Sequence, residues 1–372
     1  MNVLVVNAGS SSLKLRLLDG GDGMVASADL PAPGGSVDTA ALEEFVDRAG
    51  PVDAVGHRIV HGGVEFVEPV LLDPSVVERL HGLTDLAPLH QPKSLSAYDE
   101  VSRVLPGVPA VGCFDTAFHA HLPAAASTYA LPPQWRSRWN LKRYGFHGLS
   151  HAYASRRACE QLSLDPAGLR IVTCHLGAGA SLAAVLDGRS LDTTMGFTPL
   201  EGLVMATRSG SVDPGLVLWL EEHVGTPPSE LAATLEHRSG LLGLAGTADM
   251  REIVERSRRG EPEAELAFGV YQHRLRAGIA AMAAALDGLD VLVFTGGVGE
   301  RAPHVRACAA DGLGFLGVRL DAARNDAADG DCEIGARDAG VRAIVIESRE
   351  DLEIAGQTRR VLAPPASVPS GT

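Results

Sequence analysis

Ile171-Val-Thr-Cys-His-Leu-Gly-Ala-Gly-Ala-Ser-Leu182 is the stretch from which the fold of this chain is read. A short apolar run, a turn of small residues and a second apolar run make a hairpin whose tip offers backbone N–H groups to an anion. The same plan opens the chain: Val3 to Val6, then Asn7-Ala-Gly-Ser-Ser-Ser12, then Leu13, Leu15 and Leu17 alternating with Lys14 and Arg16. Each copy ends in Leu-Asp-Gly, at Leu18 to Gly20 and at Leu186 to Gly188. Taken alone, the first loop reads more readily as an ordinary hairpin turn than as a phosphate cradle. A Walker A pattern is missing, which excludes a P-loop nucleotide site.

Outward from the hairpins, 372 residues with 45% hydrophobic and 21% charged side chains suit a globular protein of two domains. A net charge of −14 without a basic run argues against nucleic acid or an anionic membrane surface as partner. The chain starts directly with Asn2-Val-Leu-Val-Val6, without a basic n-region and a longer apolar run, and no stretch reads as a membrane span. Five scattered cysteines, Cys113, Cys159, Cys174, Cys308 and Cys332, lack a C-x-x-C pair and read as reduced thiols of a cytoplasmic protein.

Strands are expected at Val52 to Val60, Val108 to Phe114, Asp290 to Phe294 and Val341 to Ile346. Helices are expected at Thr39 to Ala49, Pro74 to His81, Lys93 to Val104, Ala152 to Leu162, Gly215 to His223, Pro228 to His237 and Glu261 to Leu286. Thr295-Gly-Gly-Val-Gly-Glu300 reads as a Gly-rich turn into a helix, a common anion or nucleotide site. Ser348-Arg-Glu-Asp351 reads as a capping box, which leaves Glu350 between helix capping and cation binding. The Pro- and Ser-rich tail from Ala363 reads as disordered.

Several side chains carry chemistry. Arg58, in Gly56-His-Arg-Ile-Val-His-Gly-Gly63, suits bidentate binding of a carboxylate or phosphate, or a surface salt bridge. His57 and His61 are four apart, but the Glu of H-E-x-x-H is missing, so zinc is not implied. Asp115 follows a strand end, where it serves as a catalytic or metal carboxylate or as a helix N-cap. His147 lies between two glycines, able to approach a ligand closely or to sit as a structural histidine. Leu191 to Pro214 shows no sustained period yet holds many apolar residues and one cation, Arg208. It reads as an ordered active-site wall or a packed Ω-loop.

Asp192-Thr-Thr-Met-Gly-Phe-Thr-Pro-Leu-Glu-Gly202, followed by Thr207-Arg-Ser-Gly210, is similar to the central signature of the acetate kinase family. The resemblance runs from residue 2 to about residue 360, through Asn7 to Lys14, Gly56 to Gly63, Phe114 to His119, Tyr144 to His151, His175 to Leu182, Asp249 to Arg251 and Gly296 to Glu300. It implies an α/β fold of two actin-like (ribonuclease H-like) domains with an interdomain active-site cleft, as in the sugar kinase and Hsp70 superfamily. The domains would span 1–117 plus 350–372, and 118–349, and the assembly would be a homodimer.

The implied reaction is reversible transfer of a phosphoryl group from ATP to acetate, giving ADP and acetyl phosphate, with Mg2+ or alternatively Mn2+. By the same resemblance Arg58 binds the acetate carboxylate, Arg208 and His147 stabilise the transferring group, and His90 assists. Asp115 orients the metal or its waters, and Asn7 and Glu350 are metal partners. Val60, Leu89, Phe146 and Pro199 form the pocket for the acetate methyl. Lys14, Ser10, Ser12 and the run His175, Leu176, Gly177, Ala178 and Gly179 hold phosphates. Asp249, Met250 and Arg251, with Gly296, Gly297, Val298, Gly299, Glu300 and Arg301, line the nucleoside pocket.

The departures are Ala178 for Asn in the second phosphate loop, Ala206 for Gly, Ser211 for Asp, Arg301 for Asn, and Glu347-Ser-Arg-Glu-Asp351 for Pro-Thr-Asn-Glu-Glu. They leave open a propionate or other short-chain acyl kinase, a donor such as pyrophosphate, and a weakly catalytic nucleotide or phosphate sensor.

Overall fold

The computed structural model describes residues 1–9, 12–32, 38–88 and 90–364. The chain forms two compact units, Met1–Ala117 with Arg349–Thr372, and Phe118–Ser348.

The first unit holds β1 (Val3–Ala8), β2 (Ser12–Leu18), β3 (Met24–Pro31), β4 (Ala54–Ile59), β5 (Val70–Leu71) and β6 (Ala110–Phe114). Their order in the sheet is β3-β2-β1-β4-β6-β5. Strands β1 to β3 form an antiparallel meander, β4 runs parallel to β1 and β6 to β4, and β5 is antiparallel to β6. The second unit holds β7 (Arg170–Leu176), β8 (Ala180–Leu186), β9 (Arg189–Thr193), β10 (Val291–Thr295), β11 (Cys332–Glu333) and β12 (Arg342–Val345), in the order β11-β12-β10-β7-β8-β9. Each of these strands occupies the place, and runs in the sense, of the strand six numbers before it. The repeat expected from the two hairpins is thus a repeat of whole sheets, each of them mixed and flanked by helices in the actin-like manner.

Local chemistry explains the strands. Val3 to Val6 are all buried, as befits a central strand covered on both faces. In β2, Leu13, Leu15 and Leu17 point into the core while Lys14 is exposed. The β8–β9 turn places Asp187 at φ 52° and Gly188 at φ 72°, a two-residue hairpin that suits the twist of its strands. The β2–β3 turn is longer, with Asp19 Oδ1 accepting from the N–H groups of Gly21 and Gly23 at 2.8 and 2.9 Å. Helix Glu350–Leu362 returns to the first sheet, where Ile354 and Ala355 are fully buried and the Ile354 carbonyl lies 3.9 Å from Cys113 Sγ of β6.

Several elements differ from expectation. Helix Gly148–Leu162 starts four residues before Ala152, because His147 takes a left-handed conformation (φ 55°) and starts the helix there. Gly296–Arg301 is itself helical rather than a turn leading into a helix. The capping box does not form: Arg349 holds the cap position without a side-chain bond, and the Ser348 N–H donates to Glu300 Oε1 at 2.9 Å instead. The helix expected over Gly215 to His223 is α-helical only over Pro214–Trp219 and continues as a π turn, Leu220–Val224. Among the described residues, no helix is long and apolar enough to cross a membrane.

Candidate active site

In the first unit, β4 and β6 are parallel neighbours, with Arg58 opposite Cys113 and Ile59 opposite Phe114. Asp115 therefore emerges beside Arg58 at the C-terminal edge, its N–H donating to the Ile59 carbonyl at 3.0 Å. Arg58 Nε donates to both Asp115 oxygens at 3.1 Å, and Nη2 to Oδ2 at 2.5 Å. Nη1 donates to Asn7 Oδ1 at 3.1 Å, and Asn7 Nδ2 to Glu350 Oε2 at 3.1 Å. One guanidinium thus sits among two carboxylates and an amide. Burial works against its charge, but Asp115 and Glu350 outweigh that and raise its pKa. The Arg58 ion pair is a buried one, with Asp115 only 1% exposed.

His57 packs edge-on to Tyr98, and His61 Nδ1 accepts from the Gly63 N–H at 2.8 Å. Burial lowers them to about 3 and about 4, which keeps them neutral. His90 starts helix Gln91–Val104 and is half-buried, while Val60 is 6% exposed. Lys14 stands exposed on β2 opposite Asn7, and Ser12 closes the loop with its carbonyl accepting from the Gly9 N–H at 2.8 Å. Ser10 and Leu89 lie outside the described residues.

In the second unit, the Gly177–Gly179 loop joins β7 to β8 and the backbone comes close to two side chains. A Cβ at Gly179 would lie 3.1 Å from His147 Nε2 and 3.6 Å from Arg208 Nη1. His147 lies against His175, ring centroids 4.3 Å apart and planes tilted by 30°, with its Nδ1 2.9 Å from Ser181 Oγ. His175 Nδ1 lies 2.7 Å from Ser150 Oγ. A left-handed conformation costs a histidine about 1 to 3 kcal/mol, a strain of the kind that clusters at functional sites.

Arg208 is mostly buried, which lowers its pKa, and Glu236 offsets part of that at 3.6 Å from Nε. Its segment is strapped down by backbone bonds, among them the Ala206 N–H to the Ala178 carbonyl at 3.1 Å and the Ser239 N–H to the Thr207 carbonyl at 2.9 Å. The Ala178 side chain removes an amide, but its backbone still anchors the loop that carries Arg208. Glu201 pins the signature stretch, accepting from Tyr129 Oη at 2.6 Å and Arg143 Nη2 at 2.7 Å. Phe146 is buried beside His147, and Pro199 is half-buried.

Gly296 (φ 77°) lies against the Leu176 backbone, where a Cβ would come within 2.8 Å of the carbonyl oxygen. Helix Gly296–Arg301 therefore stands at the end of β7, with Gly297 and Arg301 exposed, Val298 and Glu300 half-buried and Gly299 buried. Asp249 caps helix Met250–Arg258 through the Arg251 N–H at 2.9 Å and pairs with the Arg251 guanidinium, which lowers its pKa to about 2. Met250 is buried.

Two sets converge, each within its own unit: Asn7, Arg58, Asp115 and Glu350, and His147, His175, Gly177, Gly179 and Arg208. The acetokinase family model matches residues 32–356. The chain belongs to the acetokinase family. It is 46% identical over 320 residues to the acetate kinase of Nostoc punctiforme, covering 86% of this chain and 79% of that one. Among solved structures it is similar to Porphyromonas gingivalis acetate kinase, with a TM-score of 0.88 and 37% identity over 97% of this chain and 99% of that one. A propionate kinase from Francisella tularensis gives a TM-score of 0.90 and 33% identity over 97% and 100%.

Membership of the acetokinase family bears out the resemblance read from the Asp192–Gly202 signature. Sequence reasoning missed Ser181, Glu236 and Glu201 as supports of that site. Ser181 and Glu201 lay inside quoted motifs, but only the fold shows which side chains they hold.

Proposed function

We propose that this chain is an acetate kinase, catalysing reversible phosphoryl transfer from ATP to acetate. The observation that carries the reading is Arg58, fixed by Asp115 along its Nε–Nη2 edge and by Asn7 through one Nη1 hydrogen, so that one hydrogen each on Nη1 and Nη2 is left over for a second carboxylate. Acetate is already ionised at neutral pH, so it needs orientation and charge compensation rather than a base. Asp115 acts as the positioning group for Arg58. In the second unit, His147 and Arg208 supply donors to the equatorial oxygens of the transferring phosphoryl group, with His90 assisting from the first unit. Lys14, Ser12, His175 and the Gly177–Gly179 backbone hold donor phosphates, and Gly296–Arg301 with Asp249 and Arg251 flank the nucleoside. Val60, Phe146 and Pro199 meet the acetate methyl.

A metal fits the first set by donor chemistry. Glu350 offers a carboxylate beside Asn7, whose amide donates to it through Nδ2 while its Oδ1 accepts from Arg58. That suits Mg2+, or Mn2+ in its place, taken by one or two carboxylates, water and substrate phosphates. Asn7 and Glu350 would hold it, with Asp115 facing its waters, and it would supply charge neutralisation between the donor phosphates.

The likeness to a propionate kinase favours a second acceptor. Branched Val60 on the methyl wall leaves less room than Ala, so propionate is the slower substrate on this reading.

The test is acyl phosphate formation trapped as hydroxamate, from Mg-ATP with acetate, from Mg-ATP with propionate, and from pyrophosphate with acetate. Turnover with ATP and acetate supports the proposal. Turnover with pyrophosphate only would mean that Ala178 and Arg301 have remodelled the donor site. No turnover with any pair, from folded protein, would favour the phosphate sensor.

A further inference from the structure

Behind His147 lies a line of buried groups that the reaction above does not use. His151 and Thr173 are fully buried, and so is Ser181. His151 Nδ1 lies 2.7 Å from Thr173 Oγ1, His151 Nε2 lies 2.7 Å from Ser181 Oγ, and the same Ser181 Oγ lies 2.9 Å from His147 Nδ1. Ser181 carries one proton and faces two imidazole nitrogens, so it donates to one and accepts from the other.

The Thr173 hydroxyl has a second acceptor in the Ala183 carbonyl at 3.5 Å, and the direction proposed here has it turned there. Thr173 then accepts from His151 Nδ1–H, and His151 Nε2 is left as an acceptor for the Ser181 hydroxyl. Ser181 Oγ in turn accepts from His147 Nδ1–H. Burial lowers the His151 pKa well below its ordinary value and keeps it neutral, and the neighbouring His119 and His175 lower it further. In the opposite direction Ser181 would donate to His147 Nδ1, which requires the neutral Nε2–H tautomer of His147.

From this line of contacts we infer that Ser181, held by His151 and Thr173, is a positioning residue that fixes His147 as the Nδ1–H tautomer. This rests on the reading of His147 as a phosphoryl ligand. The Nε2 edge, which faces Gly179, is then the edge presented to the phosphoryl group, and protonation there makes it a donor without disturbing the inward bond. Among the described residues, His175, tilted against the ring at 4.3 Å, and Arg208, beside Gly179, are titratable or cationic groups at that edge.

The experiment is a long-range 1H–15N correlation spectrum of 15N-histidine-labelled protein, with His147 assigned by its loss in His147→Gln, together with steady-state kinetics. Wild type should show neutral His147 protonated at Nδ1. Ser181→Ala should show mixed tautomers and a kcat lower by about ten- to a hundredfold with the acetate and ATP KM values nearly unmoved. Ser181→Thr should restore both. Neutral His147 protonated at Nε2 in the wild type overturns the inference even if Ser181→Ala does not fold. So does a Ser181→Ala protein with wild-type tautomer and kcat. Wild-type kcat in His147→Gln would instead remove the role of His147 in the reaction, a separate failure that the tautomer spectrum does not share.

Discussion

Two hairpins of the same design carry opposite chemistry. In the first unit the β1–β2 hairpin supplies Asn7 to an ionic set, in which Arg58 meets Asp115 and Asn7, and Asn7 meets Glu350. In the second unit the β7–β8 hairpin meets imidazoles, hydroxyls and Arg208, with Glu236 the nearby carboxylate at 3.6 Å. A repeated backbone does not repeat a site. The acid-rich set suits a metal ion and an oriented guanidinium, whereas the second set is rich in donors and suits a phosphoryl group.

Asp115→Asn strikes the contrast hardest. It leaves the Arg58 guanidinium buried without its bidentate partner, so unfolding free energy should fall by about 3 to 5 kcal/mol, read from urea denaturation. A loss near zero would mean that the pair is as solvated as a surface salt bridge.

Acidification probes what both units share, neutral buried histidines. Burial lowers His57 to about 3, and His61 and His119 to about 4, from the ordinary histidine value of 6.5. Between those values the unfolded chain binds more protons than the folded one. Stability is therefore complete above about pH 6.5 and falls as pH drops toward about 4, by up to about 1.4 kcal/mol per pH unit for each histidine. A Tm that stays flat from pH 7 to pH 5 would contradict this.

The smallest effect belongs to the acceptor wall. Val60→Ala should raise the propionate to acetate ratio of kcat/KM by about fivefold, the scale of a single methylene in an apolar pocket. An unmoved ratio would remove Val60 from that wall.

The hairpins were legible because strand and turn chemistry are local: small residues at Gly177–Gly179 and Leu13, Leu15 and Leu17 at period two announce themselves. The same locality explains what was missed. Strand β3 exposes Met24 and Val25 and is half-buried at best along its length, so no alternating apolar face marks it. The Ser348 motif matched a capping box, yet a tertiary bond from its N–H to Glu300 outweighed the local one. Arg58 and Asp115 were legible as chemical types, but their pairing needed the parallel register of β4 and β6. Ser181 could not be read as a support of His147 from spacing at all, since 34 residues separate them.

The most direct test of the division between the units is the kinetic split of Arg58→Ala and Arg208→Ala in the hydroxamate assay with Mg-ATP and acetate. Arg58→Ala should act chiefly through the acetate KM. Arg208→Ala should lower kcat by about 10³-fold or more, the scale of an arginine that stabilises phosphoryl transfer, with the acetate KM little changed. The reverse pattern, or equal losses of kcat at unchanged KM in both variants, would contradict the assignment of the acceptor to the first unit and the phosphoryl group to the second.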